Sequence, residues 1–244
     1  MSPYVVRELP NVDDPAVIAC CVCAQKMRQT LAAFLHHIIL QLKERPLTST
    51  VRVTLATTLR MTEGAISVEL LCVKNRARDA SILLLSLYEL QLDLQYIALD
   101  PSRAVIWLDH TEKSRKPWKV DSQLKEIYTK PNELATERNI YRLFSMVKHC
   151  NPTGESMTFP LAFTRKTMQM DLAQNNHPFI HGYLYGLGVC IQRLADAASR
   201  IWIVEGLDVK DFTKRLDNQL KVLWKHNEHH IVSMVRQWQQ THSH

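Results

Sequence analysis

Between Arg78 and Tyr96 the chain reads RDASILLLSLYELQLDLQY, and the Asp100-Pro101 pair closes the segment. Apolar residues recur there at intervals of three and four, the spacing at which side chains line one face of an α-helix. Ile82, Leu85 and Leu92 share that face with an acid, Glu89, and with Tyr96. The pattern predicts a long amphipathic helix whose apolar face belongs to the core.

Glu89 lies between leucines on this face, and two interpretations follow. An unpaired charge is costly to bury, so the carboxylate must be paired, hydrogen-bonded or protonated. Either Glu89 is an acid of a functional site, or it is a structural acid satisfied by a lysine, arginine or tyrosine of a neighbouring helix. In the first case Tyr96, on the same face, is a further ligand-binding candidate.

A second amphipathic segment separates its apolar and polar residues on opposite faces. It reads NIYRLFSMVKH from Asn139 to His149 and is closed by Asn151-Pro152. Ile140, Leu143, Phe144 and Val147 fall on one side, and Arg138, Arg142, Ser145 and His149 fall on the other. Two guanidinium groups, a hydroxyl and an imidazole could hold phosphate, and His149 could serve as general acid or base. The alternative is the ordinary solvated face of a surface helix.

The rest of the chain extends this helical pattern. Only 6 of the 244 residues are glycine, too few for the many turns of a large β-sandwich or barrel. We predict one all-α domain over residues 1–244, a bundle of about six to eight helices without a sheet. Two long helices, about 178–204 and 209–239, finish the chain. Residues 1–14 are expected to form an extended arm, 150–178 a long loop and 240–244 a frayed tail.

Helix boundaries follow from capping residues. Asp14-Pro15 is typical of a helix start, and this first helix is expected to run to about Lys43. Asp121 and Asn132 are the predicted caps of two later helices. Residues 49–60 are ambiguous, since Val51 and Val53 alternate as in a strand. We predict helix there, because a lone strand has nothing to pair with.

Composition limits the classes of partner and location. The net charge is +6, with 30 basic and 24 acidic residues, which permits RNA or another anionic ligand as a partner without requiring one. The start does not resemble a signal peptide, and no uncharged apolar run is long enough to span a membrane. We therefore expect a cytoplasmic protein with no membrane contact. Six cysteines fit that compartment as buried thiols.

No cofactor and no metal are expected. Cys20 and Cys23 have the spacing of a metal pair but lack a second pair. His226 and His230 are one turn apart, without the glutamate placement of a metalloprotease motif. We expect Cys20 and Cys23 to pack in the core, and both histidines to lie on a solvated helix face.

Two segments resemble a bacterial all-helical family, the domain-of-unknown-function 5677 family. They are SLYELQLDLQYIALDP, from Ser86 to Pro101, and YRLFSMVKHCNP, from Tyr141 to Pro152. In that family a helix ending in Glu and a later helix with Ser-x-x-x-His recur, and Glu89, Ser145 and His149 match those positions. Relatives often carry an arginine where this chain has Leu85. The resemblance, loose over residues 16–188, implies a helical fold and no established activity.

A weaker resemblance is to helical nucleases of the higher-eukaryote-and-prokaryote nucleotide-binding class. These carry an arginine, four to six residues, and then a histidine on one helix, often in dimers. Arg142 and His149 match the longest spacing, although Leu143 replaces the usual polar residue. Arg103 and His110 also match, which shows how easily the pattern arises.

Three functions are therefore open. The first is an effector or partner-binding module of a helical bundle, in bacterial stress or phage defence. The second is a metal-independent ribonuclease or toxin that acts through Arg142, Ser145 and His149, either as a monomer or as a homodimer. The third is a small-ligand-binding bundle whose pocket is lined by Glu89, Tyr96, Ser145 and His149.

Overall fold

The computed structural model describes residues 12–112, 117–148 and 177–241. Within them the chain forms α1 (Pro15–Gln41), α2 (Ser49–Val73), α3 (Ala77–Leu99), α4 (Arg103–Leu108), α5 (Val120–Ile127), α6 (Pro131–Lys148), α7 (His177–Val204) and α8 (Phe212–Thr241), with a 3-10 turn (Asp109–Glu112) after α4. These ranges contain no strand. The prediction of an all-α bundle with two long final helices is confirmed.

Helix α7 is the central element of the bundle. It packs against α1, α2, α3 and α8, and α1 also packs against α2 and α8. The short helices lie outside this group, with α5 and α6 on α3 and α4 on α2. Because α3 has neighbours on both sides, it is buried around much of its circumference, which explains its run of leucines.

By length and composition, α3 could also cross a membrane, the one such helix in the described part of the chain. However, 61% of its most apolar window is buried inside the protein. A core helix of this kind passes the same test, so α3 is weak evidence for a membrane span.

Helix α2 resolves the ambiguity of residues 49–60, and the prediction of helix there is confirmed. Its threonine hydroxyls donate to carbonyls one turn earlier, Thr54 to Thr50 O at 2.6 Å and Thr58 to Thr54 O at 2.7 Å. These bonds satisfy the buried hydroxyls within the helix. The β-branched residues that imitate a strand in the sequence are therefore compatible with a buried helix.

Three predicted caps have different outcomes. Asp14 caps α1 and accepts a hydrogen bond from the Ala16 amide at 2.8 Å. The other two predictions are wrong, since Lys119 is the N-cap of α5 and α6 begins at Pro131, one residue before Asn132. Proline suits a first helical position because its missing N–H would have no partner there.

Several predicted boundaries fall on residues 1–11, 149–176 and 242–244, which lie outside the described residues. They include most of the predicted arm, nearly all of the loop at 150–178 and the end of the tail. Val12 is described, and it is buried rather than extended into solvent, with its amide donating to Val73 O at 2.9 Å. Helix α7 begins at His177, inside the range 150–178 for which the sequence predicts a loop.

The structure explains why glycine stands at two positions of the chain. A Cβ at Gly188 would lie 2.7 Å from Leu223 Cδ2 and 3.1 Å from Met27 Sδ, so glycine lets α7 approach α1 and α8 closely. Gly206 has a φ of 71° and follows the end of α7, in the left-handed conformation that glycine adopts without steric penalty.

An acid inside the bundle joins the short helices to α3. Asp93 is buried and accepts hydrogen bonds from Trp118 Nε1 at 3.0 Å, Gln123 Nε2 at 2.7 Å and Trp107 Nε1 at 3.3 Å. Three donors satisfy the carboxylate without a cation. Asp93 therefore positions α4 and α5 against α3.

Candidate functional site

The two arginines of the predicted cationic stripe on α6, Arg138 and Arg142, are exposed, and an acid neutralises the first of them. Arg138 Nε donates to Asp121 Oδ1 at 2.8 Å. Hydrogen bonds from Lys125 and Arg138 hold the pKa of Asp121 below its ordinary value. Arg142 is exposed and has no partner among the described residues, whereas Ser145 is half-buried. His149 lies outside the described residues, and the structure describes the stripe from Arg138 to Ser145.

The other two predicted ligand-binding residues belong to different environments. Glu89 is half-buried and accepts a hydrogen bond from Tyr141 Oη of α6 at 3.1 Å. Tyr96, two helical turns later, donates to Glu126 of α5 at 2.9 Å, and the Arg103 guanidinium lies over its ring at 3.7 Å. Glu89 and Tyr96 thus contact different helices, α6 and α5, and a pocket lined by both stays a prediction.

The pairing of Glu89 with a tyrosine of a neighbouring helix is what its place among leucines predicts. Burial, and after it the nearby Glu89 carboxylate, raises the pKa of Tyr141 to about 12. The Tyr141 hydroxyl therefore stays protonated at neutral pH and donates a hydrogen bond to Glu89. This contact holds α6 against α3.

A buried ion pair joins α6 to α7, and the sequence analysis does not predict it. Arg193 donates to Glu137 with both ends of its fork, Nη1 to Oε2 at 3.0 Å and Nη2 to Oε1 at 2.8 Å. Tyr88 of α3 adds a third bond to Oε2 at 2.6 Å. Glu137 is 4% exposed, so its charge depends on these partners.

The two partners of Glu137 keep their protons. Burial lowers the pKa of Arg193, but its hydrogen bonds to Glu137 outweigh that effect and raise the pKa above its usual value. Burial raises the pKa of Tyr88, and the Glu137 carboxylate raises it further. The cluster is thus a carboxylate held by a cation and a neutral phenol.

One signal in the sequence could have identified Glu137. It stands three residues after Leu134 and four before Tyr141, on the face of α6 that packs against the core. Glu89 was found by the same kind of placement among apolar residues. The partner of Glu137, Arg193, lies on a distant segment, and no local sequence pattern connects these two residues.

A shallow cleft of about 400 Å³ opens beside this ion pair. It is lined by Tyr128, Asn132, Glu133, Thr136, Glu137 and Arg193. The Arg193 guanidinium also lies 5.6 Å from the centre of the Tyr128 ring. The cleft therefore combines charges of both signs with an aromatic ring.

A second buried polar cluster has the residue types of a thiol protease. Cys20, His181 and Asn227 are all fully buried. His181 Nδ1 lies 3.4 Å from the Cys20 sulfur and 2.8 Å from Asn227 Oδ1. A proton relay needs the thiol and the amide on opposite ring nitrogens, whereas here both approach Nδ1. Burial raises the pKa of Cys20 to about 12, so the thiol stays protonated.

This cluster therefore holds α1, α7 and α8 together. His230 of α8 stacks on His181, with ring centroids 3.9 Å apart. The prediction that both His226 and His230 are solvated is thus wrong for His230, although His226 is exposed. The burial of Cys20 confirms its predicted place in the core.

We expect Cys20 to resist alkylation in the folded protein. Iodoacetamide at pH 8 should leave the Cys20 peptide unmodified, while half-buried Cys23 reacts first, because the thiolate is the reactive form and access is required. Mass spectrometry of the digested protein measures both sites, and labelling in urea supplies the reference. Rapid native modification of Cys20 would contradict this account and return the cluster to the candidates for catalysis.

Basic side chains concentrate on the solvent face of α8. Lys214, Lys221, Lys225 and His229 fall within one stripe at helical spacing, and all four are exposed. Arg215 and His226 are exposed beside them. We call these six residues the basic face of α8. Two acids lie near it, Glu228 and Asp217, and Asp217 pairs with Lys221 at 2.7 Å.

Comparisons with known proteins give no match, so a function for this chain has to be argued from its own residues. No protein-family model matches the chain, and no curated protein or solved structure matches it either. Among the described residues, no group of three or more His, Cys, Asp or Glu side chains could hold a metal ion. The resemblances to the helical family and to the helical nucleases stay predictions.

Proposed function

We propose that this protein is a partner-binding module that takes RNA on the basic face of α8. The observation that carries the proposal is the row of exposed lysines at positions 214, 221 and 225. At 1.5 Å per residue this row spans about 16 Å, enough to contact several phosphates of one strand. Exposed lysines of this kind supply binding that depends on charge more than on base sequence.

The exposed residues of α8 favour a nucleic acid over a lipid surface. A helix that lies in a membrane interface presents large apolar side chains alongside its basic residues. Among the α8 residues up to position 232, whose side chains the structure describes, Val222 is the exposed large hydrophobic residue, and the other apolar side chains are buried or half-buried. A polar, positively charged face suits a phosphate backbone.

Charge reversal tests this face. We expect the double variant Lys221→Glu/Lys225→Glu to bind a fluorescent single-stranded RNA about tenfold or more weakly, measured by anisotropy at several salt concentrations. The dependence of log affinity on log salt should flatten by about one for each lost phosphate contact. The matched control, Lys43→Glu/Lys74→Glu, changes net charge equally at exposed sites in the turns that follow α1 and α2.

The control should keep most of the affinity and the wild-type salt dependence. Equal weakening of both variants would show that overall charge alone attracts RNA, and the proposal would fail. It would also fail if the wild-type protein bound no RNA at low salt.

The ribonuclease alternative retains one favourable observation, the exposed and unpartnered Arg142 on α6 within the described chain. The same RNA samples, kept with a chelator and run on a denaturing gel, measure cleavage. Cleavage that disappears in His149→Ala, with unchanged thermal stability, would replace the binding proposal. A cytoplasmic location, a homodimer and a role in stress or phage defence stay predictions.

A further inference from the structure

We propose that the cleft beside Arg193 binds a small zwitterion, a free amino acid, independently of the basic face of α8. The first argument is the unused hydrogen-bonding capacity of Arg193. A guanidinium carries five N–H donors, and Glu137 accepts two of them. The remaining three have no partner among the described residues, although the side chain is only 27% exposed. The end-on fork is taken by Glu137, and a carboxylate is the ligand group that suits the remaining coplanar donors on Nε, Nη1 and Nη2.

The opposite charge stands on the same helix. Glu133 lies one turn before Glu137 on the same face of α6, which places the Cβ atoms of the two residues about 5–6 Å apart. Glu137 is occupied by Arg193 and Tyr88, whereas the exposed side chain of Glu133 contacts Lys130 at 2.8 Å. Lys130 is itself 71% exposed, and an exposed ion pair of this kind is weak, so a ligand ammonium can take its place.

The charge balance of the cleft selects against simple ions. Glu137 pairs with Arg193 and Glu133 pairs with Lys130, so the charges of the two pairs sum to zero. The cleft therefore attracts neither a simple anion nor a simple cation by its net charge. A molecule with one positive and one negative end satisfies both the spare guanidinium donors and Glu133. The ring of Tyr128 borders the space between them and offers an apolar surface to the ligand's carbon atoms.

The size of the cleft is compatible with such a ligand. A volume of about 400 Å³ is near the lower end for small-molecule sites. That space is large enough for a single amino acid. Asn132 and Thr136 on the cleft wall provide further polar contacts at its rim.

The test screens the twenty standard amino acids by thermal shift, followed by calorimetry on those that stabilise the protein. We expect at least one to bind, and expect its carboxamide and its des-amino analogue each to bind about tenfold or more weakly, since each lacks one charged end. Glu133→Gln should weaken binding about tenfold without changing the melting temperature of the free protein. Arg193→Lys should also weaken it, because lysine keeps the charge and loses the planar fork.

The control variant is Arg138→Lys, an exposed arginine on the same helix outside the cleft lining, and it should bind as the wild type does. The proposal is overturned if no amino acid binds. It is also overturned if binding survives both Glu133→Gln and removal of the ligand's amino group, or if uncharged polyols bind equally well. Should Arg193→Lys fail to fold, Glu133→Gln and the two ligand analogues still decide the outcome.

Discussion

Arg193→Ala is expected to lower the free energy of unfolding by about 3–5 kcal/mol, the usual cost of leaving a buried charge without its partner. The carboxylate of Glu137 would lose two of its three hydrogen bonds and keep that from Tyr88. At 4% exposure it cannot recover that loss from water. Urea unfolding followed by circular dichroism measures the change.

The neighbouring ion pair on α6 supplies the control. Arg138 pairs with Asp121 at 2.7 Å, but both side chains are largely exposed. Arg138→Ala should therefore change the free energy of unfolding by less than about 1 kcal/mol. Similar losses in the two variants would show that Glu137 is hydrated in solution, contrary to the structure. Glu137→Gln should fall between them, because an amide keeps the shape and removes the charge.

Phe34→Ala is expected to lower the free energy of unfolding by about 3–5 kcal/mol, since it leaves a cavity where three helices meet. Phe34 of α1 is fully buried and lies edge-on to Trp202 of α7, with ring centroids 4.8 Å apart. It also stacks on Phe212 at the start of α8, at 4.9 Å. Removing the central ring of this trio takes packing contacts away from both neighbours.

Leu40→Ala is the matched control for the ring trio. Leu40 lies on the same helix and is 58% exposed, so its truncation should change stability by no more than about 0.5 kcal/mol. Urea unfolding of both variants measures the difference, and the slope against urea should stay unchanged. A loss below about 1 kcal/mol for Phe34→Ala would mean that the rings are not packed as described.

Helix positions could be read from local signals with good accuracy. The intervals of three and four residues identify α1, α3, α7 and α8, and the predicted bounds lie within a few residues of those observed. The errors are at helix starts, where α5 begins at Val120 after the cap Lys119 and α6 begins at Pro131, both earlier than caps at Asp121 and Asn132 would allow. The cap depends on the path of the chain before the helix, and the spacing of apolar residues within the helix carries no information about that path.

The candidate sites were less predictable. Helical phase placed Glu89 at the core edge and Arg142 on the solvent side, and both positions agree with the structure. Phase alone could not tell that Glu89 and Tyr96 contact different helices. It gave no reason to associate Cys20 with Asn227, which is 207 positions later in the chain.

The sequence by itself determined the helical architecture, the inward and outward faces of its helices, and the surplus of positive charge. Those properties arise from neighbouring residues and are set by a period of 3.6 residues. Only the tertiary structure decided which polar groups meet: Glu137 with Arg193, His181 with Asn227, and Asp93 with two tryptophans. The physical reason is that a buried polar group requires a partner, while any helix packed at the right distance can provide it. The cleft beside Arg193 is a product of that packing.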